Sequence, residues 1–144
     1  MKYNTLSIYL PDVATECERP LFVSTVPAGF PSPAEDYVEG NLDLNKYLIK
    51  RPAATFFVKV EGESMIDAGI HSGDILIVDR SIEPAHNKIV IAIVDGDLTV
   101  KRLNITKKKT FLTSENSQAD PMIITANESL EIWGVVTNVI HSLP

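Results

Sequence analysis

Ser64 is the first candidate for chemistry, because it lies in the segment VEGESMIDAGIHSGD, residues 60–74, between two glycine turns. A serine hydroxyl acts as a nucleophile only when a neighbouring base removes its proton. If a short helix begins here, the backbone amides of Ser64 and Met65 point outward and could hold an oxyanion. The same position is also typical of a helix N-cap, where the hydroxyl has no catalytic role. The local pattern leaves catalysis and capping both open.

Histidine is the usual base for a catalytic serine. The sequence contains three histidines, His71, His86 and His141, and none lies in a recognisable catalytic motif. The default for each is a solvated or hydrogen-bonded side chain. With scattered histidines and one cysteine, Cys17, the sequence predicts no metal site, no cofactor and no internal disulfide. We interpret Cys17 as a bystander and the scattered carboxylates as surface and turn residues.

A lysine can replace histidine as the base if burial keeps its amine neutral. An ordinary lysine has a pKa of about 10.4, and burial against apolar groups lowers it by roughly 3 to 5 units. Serine-lysine pairs are an established variant of the catalytic triad. The candidate here is Lys101, in the strand-like run DLTVKRL. The alternative is a strand lysine whose stem lies on the sheet while its amine reaches water.

A predicted β-hairpin defines the surroundings of Lys101. The runs IVIAIV and DLTVKRL flank Asp95-Gly96, and an Asp-Gly pair between such runs is a strong signal for a two-residue turn. The predicted cross-strand pairs are Val94 with Asp97, Ala92 with Thr99, and Val90 with Lys101. This register gives Lys101 small and apolar neighbours. It turns Arg102 to the other face. A guanidinium also cannot act as a base, because it stays protonated in proteins.

Seven short β-type runs predict a mostly β body. They are TFFVKVEG, DILIVDR, KIVIAIV, DLTVKRL, TFLTSE, MIIT and LEIWGVVTNVI. Turn residues separate them, and the basic run of residues 107–109 is interpreted as one solvated turn. The fold class is therefore a compact body of about seven strands with short helices.

Two short helices are predicted ahead of this body. A capping-box pattern from Ser32 to Glu35 predicts a first helix that ends at Gly40. A second helix presents one apolar face and ends near Pro52. The residues of that face are Leu44, Tyr47 and Leu48.

The first 28 residues are predicted to form an extended arm on a body of residues 29–144. They show no sustained periodicity and are interrupted by Pro11, Pro20 and Pro27. Two apolar pieces of the arm, LSIYL and LFV, could lie on the β body as an added strand or apolar patch.

The composition excludes several classes of protein. The formal net charge of −6 argues against direct, sequence-specific DNA binding, which depends on neutralising phosphates. No apolar run approaches the roughly 18 residues that cross a bilayer, and the first residues lack the features of a signal peptide. We expect a cytoplasmic protein without a membrane anchor.

Three segments together resemble the self-cleaving LexA/UmuD peptidases. They are VEGESM at residues 60–65, Gly73-Asp74 before an apolar strand, and TVKRL at residues 99–103. This family uses the serine of the first segment as nucleophile and the lysine of the third as general base, so the resemblance implies these roles for Ser64 and Lys101. Asn87-Lys88 departs from the pattern, because relatives often have a glycine-containing turn before the IVIA strand.

The resemblance also implies a cleavage site. Family members cut themselves at a bond between a small residue and glycine ahead of the body, which here indicates Ala28-Gly29 in VPAGFPSP. Flanking prolines keep this stretch extended, which suits a narrow cleft. A second pair, Ala68-Gly69, lies in a segment that must be folded to build the site, so we do not expect it to enter as a substrate.

The resemblance is stronger to UmuD-type accessory subunits of error-prone translesion polymerases than to LexA-type repressors. It implies a homodimer, self-cleavage stimulated by the RecA filament on single-stranded DNA in the SOS response to DNA damage, and a cut form that joins a UmuC-type polymerase. The alternatives are a non-catalytic polymerase-binding subunit, a LexA-like regulatory module, and a membrane-associated serine-lysine signal peptidase, which the missing anchor disfavours.

Overall fold

The computed structural model describes residues 7–22, 38–119, 123–125 and 130–144. The strands in these residues are β1 (Ser7–Tyr9), β2 (Glu18–Phe22), β3 (Val38–Asp43), β4 (Thr55–Lys59), β5 (Ile75–Asp79), β6 (Ile89–Val94), β7 (Asp97–Ile105), β8 (Thr110–Thr113), β9 (Ile123–Thr125) and β10 (Leu130–Ile140). Helix α1 spans Leu44–Leu48, and 3₁₀ turns span Pro52–Ala54 and Ile66–Ala68.

Eight strands form one antiparallel sheet in the order β1-β4-β5-β10-β6-β7-β8-β9. Strands β2 and β3 pair with each other in a two-stranded sheet. The chain divides into two compact units: one contains the residues up to 11 and from 51 onward, and the other contains residues 12–50. The mostly β prediction is confirmed, since each of the seven predicted runs coincides with or overlaps one strand from β4 to β10.

The hairpin prediction is confirmed residue by residue. Val94 pairs with Asp97, Ala92 with Thr99, and Val90 with Lys101. Both turn residues have positive φ, 49° for Asp95 and 86° for Gly96. Two consecutive residues of this kind match the right-handed twist of the flanking strands, which is why Asp-Gly favours such turns.

The two predicted helices have different outcomes. The second is confirmed as α1, where the Asp43 carboxylate caps the helix by accepting a hydrogen bond from the Asn45 amide at 3.0 Å. The predicted end of the first helix is wrong, because Gly40 lies in β3 and pairs with Leu21 of β2. Cross-strand hydrogen bonds to β2 override the local helix-end signal there. The capping-box residues 32–35 lie outside the described residues.

Part of the arm does join the large sheet. Strand β1, inside the predicted LSIYL piece, pairs antiparallel with β4 at the edge of that sheet, with Ile8 opposite Val58. The LFV piece does not: its described residues, Leu21 and Phe22, belong to β2 and pair with β3. The prediction that the arm adds a strand to the body is thus confirmed for one of its two pieces.

Gly134 allows β10 to bridge β5 and β6. The register of β10 shifts against β6 between Ile132 and Gly134. A Cβ atom added at Gly134 would lie 2.6 Å from Cγ1 of Val78, a stiff, fully buried side chain. Only glycine fits this contact without moving a core residue of β5.

We therefore expect Gly134→Ala to lower the free energy of unfolding by about 1–3 kcal/mol, because the added methyl group overpacks the core. Chemical denaturation measures this change. Gly40→Ala is the matched control, since a Cβ there meets nothing within 4 Å. Equal stability of the two variants would contradict the packing argument.

Candidate active site

Ser64 and Lys101 meet across the fold although 37 residues separate them in sequence. Nζ of Lys101 lies 3.2 Å from Oγ of Ser64, within hydrogen-bonding distance. Lys101 is 2% exposed, and Ser64 is partly buried. A hydroxyl and a buried amine at this separation can exchange a proton if the amine is neutral.

The β6–β7 hairpin explains the burial of Lys101. The residue opposite it, Val90, and the preceding residue, Val100, are both fully buried. Desolvation by burial lowers the pKa of the Lys101 amine below its ordinary value. The alternative in which this amine reaches water does not fit a side chain that is so completely enclosed.

Arg102, the next residue of β7, makes a different set of contacts. Its Nε donates to the Glu115 carboxylate, and its Nη1 donates to the Asn87 carbonyl at 2.8 Å. The predicted separation of Lys101 and Arg102 onto different faces agrees with these contacts. Arg102 ties the segment after β8 to β7, while Lys101 faces Ser64.

The loop that carries Ser64, residues 61–73, is closed at its base and anchored at its centre. The Val60 amide donates to the Asp74 carbonyl at 2.9 Å, and the Gly73 amide donates to the Val60 carbonyl at 2.7 Å. Within the loop, Met65 and Ile70 are 1% and 2% exposed and belong to the core cluster of β4 to β7. Because Met65 is buried in this cluster, it holds the backbone of the preceding residue, Ser64, in place.

Ser64 does not cap the short helix that follows it. The 3₁₀ turn begins at Ile66, its N-cap position is Met65, and no side chain caps it. Ser64 lies one residue earlier. The N-cap interpretation of the sequence is therefore not supported, and the hydroxyl lies beside Lys101.

A second segment, which follows β8, holds the Ser64 loop from the other side. The Glu115 amide donates to the Ser64 carbonyl at 2.8 Å, and the Asp67 amide donates to the Glu115 carbonyl at 2.9 Å. Nδ2 of Asn116 donates to the Glu63 carbonyl at 2.9 Å. These residues could not be predicted from the sequence, because contacts over about fifty positions leave no local signal.

The predicted oxyanion groups lie in this braced stretch. Within the described part of the chain, no carbonyl or carboxylate accepts a hydrogen bond from the Met65 amide. Met65 has φ −121° and ψ 24° and leads directly into the 3₁₀ turn. The oxyanion role of the Ser64 and Met65 amides stays a prediction.

Asn87 replaces the glycine expected in the turn before β6. Its φ is +70°, in the left-handed region that asparagine tolerates better than most residues. Its amide donates to the Leu103 carbonyl, and the Leu103 amide donates to the Lys88 carbonyl, both at 2.8 Å. Although asparagine replaces glycine here, the turn still forms both of these backbone hydrogen bonds with β7.

The histidines make their hydrogen bonds away from Ser64. His86 Nδ1 accepts from the Ile105 amide at 2.9 Å, and His141 Nδ1 lies 2.5 Å from Oδ1 of Asp74. These two fit the default of a hydrogen-bonded side chain. Burial by itself raises the pKa of Asp74, but hydrogen bonds from the His71 amide and the His141 ring outweigh it, so the pKa lies below its ordinary value.

The two Ala-Gly pairs can be compared only in part. Ala28-Gly29 lies outside the described residues. Ala68 ends the 3₁₀ turn, and Gly69 follows it with φ +85° and an amide that donates to the Ile66 carbonyl at 3.0 Å. This pair is folded and hydrogen-bonded, as the sequence predicts, and does not have the extended form of a peptidase substrate.

Comparison with known proteins places the chain in a family. Residues 20–137 match the description Peptidase S24-like. The chain belongs to this family. Its members are serine peptidases, and the membership confirms the resemblance to the LexA/UmuD peptidases.

Named relatives align over most of the chain. Protein ImpA of Salmonella typhimurium is 50% identical over 85% of this chain and 83% of its own length. Protein MucA of Escherichia coli is 43% identical over 86% of this chain and 83% of its own length. The LexA repressor of Shewanella piezotolerans is 37% identical over 83% of this chain but only 58% of its own length. No helix in the described residues has the length and apolar character of a membrane span.

Lys101 should make the stability of the fold depend on pH. Because its pKa is lowered in the folded chain, that chain binds fewer protons than the unfolded chain at pH values between the two pKa values. The free energy of unfolding should therefore rise with pH through that window, by at most about 1.4 kcal/mol per pH unit. Below the folded pKa both states are protonated, and the penalty is constant.

Lys101→Met should remove this slope, as measured by urea denaturation at a series of pH values from neutral to alkaline. Lys107→Met, a change of an exposed lysine between β7 and β8, is the control and should keep the slope. Parallel pH profiles for the wild type and Lys101→Met would show that the amine is not desolvated.

Proposed function

We propose that the chain is a self-cleaving serine peptidase that cuts its own Ala28–Gly29 bond with Ser64 as nucleophile and Lys101 as general base. The observation that carries the proposal is the 3.2 Å separation of Ser64 Oγ from a buried lysine amine whose pKa is lowered. Membership of the peptidase S24-like family supports the same chemistry.

The proposed reaction follows the usual order of acyl transfer. The neutral Lys101 amine takes the Ser64 proton as Oγ attacks the Ala28 carbonyl carbon. The amides of Ser64 and Met65 hold the negative charge on the carbonyl oxygen. The Lys101 ammonium then donates its proton to the leaving Gly29 amine, and the Ala28–Gly29 bond breaks. Water, deprotonated by Lys101, releases residues 1–28 from the ester.

The pairing of β1 with β4 supports a role for the arm as a removable cover. A cut after residue 28 would fall in the connection between β2 and β3, so that only non-covalent pairing would keep residues 1–28 in place. Strand β1 has three residues, all exposed, and forms three residue pairs with β4. This contact is smaller than the five residue pairs of β2 with β3, so β1 should separate first. Its loss would expose the backbone of β4 at the sheet edge.

We further propose that the body of residues 29–144 is the working form. It would act as a homodimer and as the regulatory subunit of a UmuC-type error-prone polymerase in SOS mutagenesis, with cleavage stimulated by the RecA filament on single-stranded DNA. Likeness to ImpA and MucA over most of the chain supports this assignment over a DNA-binding repressor. An exposed β4 edge is suited to a partner that adds a strand.

Purified full-length protein, incubated without partners at raised pH, should slowly release a fragment beginning at Gly29. The rate should rise with pH and level off above the folded pKa of Lys101, because only the neutral amine can act as a base. Ser64→Ala and Lys101→Ala should each reduce the rate by about 10³-fold or more. Intact mass spectrometry of samples taken over time measures both the cut position and its rate.

Ser142→Ala and Lys107→Ala are matched controls, because both residues are exposed. They should cleave at the wild-type rate. A cut at another bond would refute the assigned site, and an unchanged rate in Ser64→Ala or Lys101→Ala would refute the mechanism.

A chain that begins at Gly29 should bind the polymerase partner more tightly than the uncleavable Ser64→Ala chain of full length. The physical reason is that β1 covers the edge of β4 in the full chain. Binding of each chain to the immobilised polymerase subunit measures the difference. Equal affinity would show that the arm covers no part of the partner's surface.

A further inference from the structure

Three side chains that commonly bind metals converge at the base of the Ser64 loop. Asp74 precedes β5 and His141 follows β10, and these strands are neighbours whose end residues Ile75 and Ile140 pair. His71 lies three residues before Asp74. The possible ligand atoms of His71, Asp74 and His141 all lie within 4.8 Å of one another.

The Asp74 carboxylate is the centre of this cluster. Its side chain is 2% exposed. Oδ1 lies 2.5 Å from Nδ1 of His141, and Oδ2 lies 3.6 Å from Nδ1 of His71. Oδ2 also accepts a hydrogen bond from the His71 amide at 2.7 Å, which holds the carboxylate in place. Two imidazoles and one carboxylate are a ligand set that suits zinc and related divalent metals.

One atom of the cluster lacks the partner that a buried polar atom needs. Nδ1 of His71 is buried and makes no hydrogen bond with the described part of the chain. Such an atom costs free energy unless something binds it. The rings of His71 and His141 lie side by side, with centroids 4.4 Å apart. A cation between them and Asp74 would satisfy the unpaired nitrogen.

We propose that His71, Asp74 and His141 form a binding site for a zinc-class divalent cation. Each imidazole binds through Nδ1 with its proton on Nε2, and one carboxylate oxygen of Asp74 is the third ligand. This assignment departs from the sequence analysis, which predicts no metal site.

The geometry requires only small movements. Zinc–ligand distances of about 2.0–2.2 Å place the ligands of a tetrahedral site about 3.3 Å apart. The side chains of His71 and His141 are 43% and 38% exposed, so each ring has space to rotate towards the ion. Their exposed side also lets water complete the coordination.

The bound cation would link the base of the Ser64 loop to the segment after β10. It binds the folded chain, so it stabilises the fold by mass action. The site uses neither Ser64 nor Lys101, and its ligands all lie after residue 29. The proposal therefore stands or fails independently of self-cleavage.

The test uses the full chain without a histidine tag. Titration with Zn²⁺ by calorimetry should show one saturable site, and Co²⁺ should give visible absorption bands that Zn²⁺ displaces. His71→Ala and His141→Ala should each weaken Zn²⁺ binding by at least about 10-fold, and the double variant should abolish it. Zn²⁺ should raise the thermal midpoint of the wild type and leave that of the double variant unchanged.

His86→Ala and Cys17→Ser are the controls, since they remove the other histidine and the only cysteine of the sequence. Both should bind Zn²⁺ as the wild type does. Circular dichroism confirms that every variant is folded. The proposal is overturned if the wild type shows no saturable binding, if the double variant binds normally, or if either control loses the site.

Discussion

The burial of Lys101 is the constraint on which the site depends: the side chain is 2% exposed, and its amine lies 3.2 Å from Oγ of Ser64. An ammonium in such a place loses much of its hydration, which shifts the equilibrium towards the neutral amine. Desolvation by burial is the cause of the lowered pKa. Basicity at this position is therefore a property of packing. A one-residue slip between β6 and β7 would turn Lys101 to the other face and remove it.

The position of Ser64 depends on supports from both sides. Met65 is buried in the core next to it, and the Glu115 amide binds its carbonyl. Two adjacent residues of β7 contribute to this arrangement. Lys101 supplies the amine, and Arg102 binds Glu115, whose segment holds the backbone of Ser64. Rigid placement of reacting groups at short distance removes much of the entropic barrier to a reaction. The sheet thus supplies the orientation that a flexible surface loop would lack.

The same loop connects the site to the rest of the sheet. It follows β4, whose outer edge is covered by β1, and it precedes β5, whose neighbour β10 brings His141 to Asp74. Strands β4 and β5 thus link the edge strand β1, the Ser64 loop and the His71–Asp74–His141 cluster.

The sequence by itself determined the features that depend on near neighbours. Asp95-Gly96 defined the hairpin and its register, so the burial of Lys101 could be predicted, and alternating apolar runs identified β4 to β10. Turn residues and side-chain alternation depend on interactions over a few residues, so the sequence alone predicts them. Only the tertiary structure decided what depends on strand order. Gly40 joined a strand because β2 pairs with it, and Glu115 reached Ser64 from a distant segment. The pairing of β5 with β10 brought His141 to the Asp74 carboxylate. Those contacts join separate segments, from 19 positions apart for Leu21 and Gly40 to 67 for Asp74 and His141. Local patterns carry no information about which distant strands become neighbours.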